Sequence, residues 1–147
     1  MNIQTKYHGE RIIEKAHIWH FATGIPGFKD ENQFIILQLE ENSVFYVLQS
    51  IKTSSLGFII VNPFIYFKNY DFQLEENILE QLEIEKEEDV QVYTILTVKD
   101  PFQQTTVNLQ APIIVNTKNN QAKQVILNNT DYQTRHLLFP SAEEIKG

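Results

Sequence analysis

Four histidines are the first residues in this chain that could do metal or proton chemistry, and His17 and His20 are the closest pair. Three residues apart on a strand, they point to opposite faces, whereas a shared metal favours an even offset on a strand or i,i+4 on a helix. They read as surface or half-buried histidines, and His136, beside Arg135, reads as a polar strand or helix end. The chain has no cysteine, which excludes a thiol nucleophile, a disulfide framework and a cysteine zinc site. Ser50, Ser54 and Ser55 lack the strained Gly-x-Ser-x-Gly turn of a serine nucleophile, and the five glycines form no phosphate-cradling loop. Carboxylates are plentiful, but most fall in one run, and nothing in their spacing sets two of them across a substrate. The chemistry on offer is that of binding, with no cofactor and no metal expected.

That acidic run is the sharpest electrostatic feature. Glu75, Glu76, Glu80, Glu83, Glu85, Glu87, Glu88 and Asp89 are relieved only by Lys86. Charge runs are usually solvated faces, and the alternative is a surface for a basic partner. A formal net charge of −7 repels nucleic acid and anionic membrane and attracts basic proteins, so neither direct nucleic-acid binding nor membrane binding is expected. Just upstream, Phe64, Tyr66, Phe67, Tyr70 and Phe72 form an aromatic cluster. Core packing explains most such side chains, while an exposed minority could anchor a partner.

The elements that must position these residues are mostly strands. A chain of 147 residues fits one domain, residues 1–147, able to bury roughly 68–70% of its unfolded surface. Short apolar or β-branched runs recur at Ile18 to Phe21, Phe34 to Leu39, Val44 to Leu48 and Gly57 to Val61, separated by polar turns. Val90 to Val98 alternates cleanly. Pro112, which lacks an N–H, opens the strand Ile113 to Asn116, and Lys118-Asn119-Asn120 offers a hairpin turn into Lys123 to Leu127. Leu74 to Ile84 carries a 3.6-residue stripe of Leu74, Ile78, Leu79 and Leu82 and predicts a short amphipathic helix. Ser141, three residues before Glu144, begins like a capping box. The pattern predicts a mainly-β single domain, a strongly curved sheet or barrel-like roll with one or two short helices, with a sandwich as the alternative. No stretch has signal-peptide character or approaches the roughly 20 apolar residues of a membrane span, so a cytoplasmic protein is expected.

Several segments, in order, carry a family resemblance. They are Gly24-Ile25-Pro26-Gly27-Phe28, Tyr46-Val47-Leu48-Gln49-Ser50, Val61-Asn62-Pro63 and the run from Thr105 through Asn108-Leu109-Gln110-Ala111-Pro112 to Asn116. With Gln124-Val125 and Arg135-His136 they span nearly the whole chain, which resembles the bacterial flagellar assembly factor FliW family. The resemblance implies a non-enzymatic switch that binds the translational repressor CsrA, relieving repression of flagellin synthesis, and that binds flagellin in a feedback loop. It directs attention to Glu75, Glu76, Glu80, Glu83, Glu87 and Glu88 for CsrA, and to Tyr46, Gln49, Asn62, Pro63 and Phe64 for flagellin. Asn62 departs from the aspartate associated with the family, removing a charge there. The rival classes are a small-molecule-binding β-barrel and a small hydrolase, each of which requires a concave site.

Overall fold

The computed structural model describes residues 1–139, so the capping box at Ser141 lies outside the described residues. In chain order the strands are β1 (Asn2–Gln4), β2 (Glu10–Ile12), β3 (Trp19–Phe21), β4 (Gln33–Gln38), β5 (Phe45–Ser50), β6 (Gly57–Val61), β7 (Val90–Thr97), β8 (Thr106–Val107), β9 (Ile113–Asn116), β10 (Gln121–Gln124) and β11 (His136–Leu137). One helix, α1 (Glu76–Gln81), precedes β7. Strands β7, β6, β5, β4, β3, β10 and β9 pair in that order, and β9 returns to β7, closing the sheet into a barrel. Every pairing in the ring is antiparallel except the short parallel one between β10 and β3. The expected barrel-like roll is therefore a closed barrel. β8 and β11 extend the sheet beyond the end of β7, and β1–β2 form a separate hairpin.

One buried cluster takes side chains from every strand of the ring, which makes it the barrel interior. Its centre is Phe21, Phe34, Leu48, Ile60, Ile113, Val115 and Ala122, with Trp19, Ile36, Tyr46, Phe58, Tyr93 and Ile95 around it. A second cluster lies outside the wall, where Val61, Val92, Leu96 and Ile114 pack beneath α1 (Ile78, Leu82), Tyr70, Leu109 and Leu138. A third sets Ile3, Ile13 and Ile18 from the N-terminal segment on Ile35 and Leu37 of β4. Strands covered on both faces cannot alternate apolar with polar. This is why Phe34 to Leu37 and Ile113 to Val115 read as continuous apolar runs.

The predicted helix Leu74–Ile84 is shorter than its stripe. Glu75 is already extended (φ −66°, ψ 152°) and Glu83 takes a positive φ of 53°, which ends the helix. A helix of this length does not sustain itself. It forms because Ile78 and Leu82 are buried on the barrel wall and because its last carbonyls find partners there, as described below.

The turn Gly24 to Phe28 brings Ile25 into the interior cluster. Gly24 has φ +69°, and a Cβ at this position would stand 2.6 Å from the Lys29 carbonyl oxygen and 2.7 Å from that of Phe28. Gly27 also has a positive φ, +87°, but faces open space. Both glycines meet the left-handed backbone requirement, and only Gly24 adds a backbone clash. Gly24→Ala is expected to cost about 3 kcal/mol or more and Gly27→Ala about 1 kcal/mol, read from denaturant midpoints. Equal losses would show that packing at Gly24 does not matter.

Candidate partner-binding surfaces

The acidic run wraps the end of α1 and the turn that leads into β7. Glu75, Glu76, Glu80, Glu83, Glu87 and Glu88 are all exposed, and Glu87–Asp89 forms a 3-10 turn. Among the described residues the one ion pair here joins Lys118 to Glu85 at 3.8 Å, with both side chains well exposed. Such a pair is worth at most about 1 kcal/mol, so the carboxylates stay largely uncompensated. Their placement is nevertheless fixed. Asn116, 1% exposed, donates from Nδ2 to the carbonyl oxygens of Leu82 (2.9 Å) and Glu83 (3.2 Å), and Asn119 donates to Leu82 at 3.1 Å. Two side-chain amides, one at the end of β9 and one in the β9–β10 turn, thus satisfy the helix C-terminus that the left-handed Glu83 leaves open. Asp89 continues the connection, its carbonyl accepting from the Thr117 N–H and hydroxyl, both at 2.8 Å. Sequence reading singled out the carboxylates and missed Asn116 and Asn119. The only signal was an asparagine-rich turn, which looks like ordinary turn chemistry.

The second group, Tyr46, Gln49, Asn62, Pro63 and Phe64, is not brought together as one surface. Tyr46 points into the barrel, half-buried, its ring edge-on to Tyr93 at 6.0 Å. Gln49 is 0% exposed and holds a loop together: Oε1 accepts from the Lys6 N–H at 2.9 Å, and Nε2 donates to the carbonyls of Ser50 (3.0 Å) and Leu56 (3.1 Å). Pro63 is buried at the start of a 3-10 turn, Pro63–Ile65. Gln49 and Pro63 are thus both buried in this conformation, away from its surface. Asn62 caps that turn, its Oδ1 accepting from the Phe64 N–H at 2.9 Å. An amide oxygen does this as well as a carboxylate, so asparagine here preserves the turn while losing the charge. Phe64 alone of the group presents a large apolar face, 42% exposed, although its ring also leans on Tyr70 at 5.7 Å.

Polar networks elsewhere hold the loops. Glu31 accepts from the hydroxyls of Ser50 and of Thr53, the latter at 2.6 Å, and these bonds hold its carboxyl below the ordinary value. Tyr70 donates from Oη to the Leu109 carbonyl at 2.7 Å, and burial pushes its hydroxyl well above the usual range. His17 lies in the 3-10 turn Lys15–His17 and only His20 is on β3, so the pair does not share a strand, contrary to the expected placement on opposite faces of one. Among the described residues no three His, Cys, Asp or Glu side chains gather as metal ligands. The barrel interior is filled by side chains of the central cluster. No helix among the described residues is long and apolar enough to cross a membrane.

With this geometry in place, comparison with known proteins is specific. Residues 2–138 match the family model described as FliW protein. The flagellar assembly factor FliW of Geobacillus kaustophilus (strain HTA426) is 53% identical over 140 residues, covering 95% of this chain and 96% of that protein. That of Bacillus subtilis (strain 168) is 53% identical over 136 residues, covering 92% and 95%. A solved structure described as the crystal structure of the flagellar assembly factor FliW superimposes with a TM-score of 0.93 at 51% identity, covering 97% of this chain and 99% of that one.

The C-terminal strap offers a pH test of how these outer layers are held. His136 on β11 accepts from the Gln133 N–H through Nε2 at 2.8 Å, which requires a neutral ring protonated on Nδ1. Lys68, Tyr70 and Tyr132 line the same cleft, and burial lowers the imidazole from its ordinary 6.5. With the folded value below the unfolded one, this contribution to stability is complete above pH 6.5 and is lost as pH falls through the folded value. Denaturant titrations of wild type and His136→Gln between pH 7.5 and about 5 are expected to show a steeper loss for wild type. Parallel curves would show that the strap does not depend on a neutral His136.

Proposed function

The chain belongs to the FliW family of flagellar assembly factors, and from that premise we propose that it is a cytoplasmic partner-switching protein, binding CsrA and flagellin in turn and acting by equilibrium rather than by chemical turnover. Free protein sequesters CsrA and relieves repression of flagellin translation. Unexported flagellin occupies the protein, releases CsrA and restores repression.

The observation that carries the CsrA half is the uncompensated acidic face at Glu75, Glu76, Glu80, Glu83, Glu87 and Glu88, held in place from the barrel. An RNA-binding repressor must present cationic side chains to phosphate. A rigid anionic surface attracts those side chains and, once docked, repels the phosphates that compete for them. For flagellin, the supporting feature is the exposed ring of Phe64, since aromatic anchors dominate interface energetics.

Calorimetry on metal-stripped protein with a cognate CsrA tests the central claim. Binding is expected, and the absence of heat with both proteins folded would remove the claim. Replacing Glu83, Glu87 and Glu88 together with Lys is expected to slow association by about tenfold at low salt and to flatten its salt dependence, because steering acts chiefly on the on-rate. An unchanged rate, with circular dichroism confirming the fold, would reduce this face to a solvated one. Phe64→Ala is expected to weaken flagellin binding by about tenfold. A lowered melting temperature with unchanged affinity would make Phe64 structural only.

A further inference from the structure

A groove of about 620 Å³ lies between residues Phe72 to Glu75, continued by Ile78, and the segment Lys123 to Thr130. Its walls are unusual in what they leave unpaired. Beyond the end of β10 the antiparallel ladder with β9 continues in the same register, with the Val125 N–H donating to Pro112 at 2.9 Å and the Leu127 N–H to Gln110 at 2.8 Å. In an extended strand the backbone groups of successive residues point to opposite edges. Those of Ile126 therefore point away from β9. On that side β3 pairs only as far as Ala122 with Phe21, leaving the edge open. Across the groove, Phe72, Gln73 and Leu74 likewise make no backbone hydrogen bond among the described residues. The floor is apolar, formed by Val125, Leu127 and Ile78, and Ile126 is 54% exposed at the rim.

From this arrangement we infer that the groove accepts an extended segment of a partner protein as an added β-strand on the Gln124–Leu127 edge, and that this segment alternates apolar with basic residues. The open edge supplies main-chain hydrogen bonds that any sequence can make, and the apolar floor selects side chains at every second position. Charge selects the rest. Among the lining residues Glu75 is the acid and Lys123 the base, and exposed Asp71, Glu76 and Asp131 adjoin the lining segments in sequence, so the chain around the groove carries more acid than base. The site stands independently of which proteins bind the acidic face, and it leaves the barrel undisturbed because, among the described residues, the edge it uses has no backbone partner to displace.

The probe is a fluorescein-labelled, C-terminally amidated hexapeptide, Arg-Val-Lys-Val-Arg-Val, titrated into the full chain by anisotropy and by backbone amide NMR. Saturable binding with shifts at Leu74, Ile126 and Asn128 is expected. N-methylating the peptide at alternate residues should weaken binding about tenfold in one register and leave it nearly unchanged in the other, because only one set of N–H groups faces the edge. Ile126→Pro removes the outward N–H while keeping the ladder bonds at Val125 and Leu127, and is expected to weaken binding by a similar factor. Ile126→Ala and Glu75→Lys separate the side-chain and charge contributions. No saturable binding at millimolar peptide would overturn the inference. So would equal affinity for both N-methylated registers, or shifts confined to Glu83–Glu88, which would mean simple charge attraction. The peptide comparison uses wild-type protein, so the test holds even where a proline variant fails to fold.

Discussion

Everything in this molecule depends on closing the sheet, and the closure rests on a short contact. β10 pairs with β3 through only Gln121 with His20 and Ala122 with Phe21, yet that step joins the last long hairpin to the first strand of the ring. Asn120 reinforces it: its carbonyl accepts from the His20 N–H at 2.8 Å, and its side chain donates to the carbonyls of Ala16 (2.6 Å) and Ile18 (3.2 Å). Asn120 also takes the left-handed φ of 60° that turns the chain into β10, a conformation asparagine tolerates better than most residues. Without this step β3 and β10 would be free edges and the interior cluster would open to water on one side. Contacts that join residues about a hundred positions apart are entropically costly to form, so the interior core must offset their closure.

A closed barrel whose interior is packed with side chains presents its outer surface for contact with other molecules. The second layer makes that surface specific. Tyr70, Leu109 and Leu138 cover one wall, α1 is laid across it, and the amides of Asn116 and Asn119 hold the last turn of the helix at its carbonyls. The polar groups of greatest structural consequence are thus buried and uncharged, while the charged ones that decorate the same loop contribute little to holding it. That separation lets the carboxylates remain uncompensated without destabilising the fold, because their positions do not depend on ion pairs.

Much of the architecture was legible in the sequence because strand periodicity and turn residues report local conformation. Gly57–Val61 and Val90–Thr97 fall where their side-chain patterns place them, and Pro112 stands at the threshold of β9. The helix was legible in kind and not in length: the stripe from Leu74 to Ile84 records which side chains face the wall, and this continues after the backbone has left the helical conformation at Glu83. The candidate site was legible only as composition. Exposed carboxylates announce themselves, whereas Gln49, buried and bonded to Lys6, looks in sequence like any polar residue at a surface. The open backbone edge at Ile126 has no sequence signature, since it arises from where β3 happens to stop.

The placement of α1 joins two surfaces that the sequence keeps apart. Glu75 lines the groove and begins the acidic run, and Ile78 and Leu82 anchor the same short helix to the wall. A helix of this length has no stability of its own and moves as its anchors move. A segment seated in the groove would press on Phe72, Leu74 and Ile78, and a basic partner on the acidic face would pull on Glu80 and Glu83 at the other end. Any free-energy coupling between the two would be reciprocal by necessity, each surface changing the other's affinity by the same factor. Between the two surfaces stands Asn116, whose bonds to Leu82 and Glu83 tie the end of the helix to the barrel.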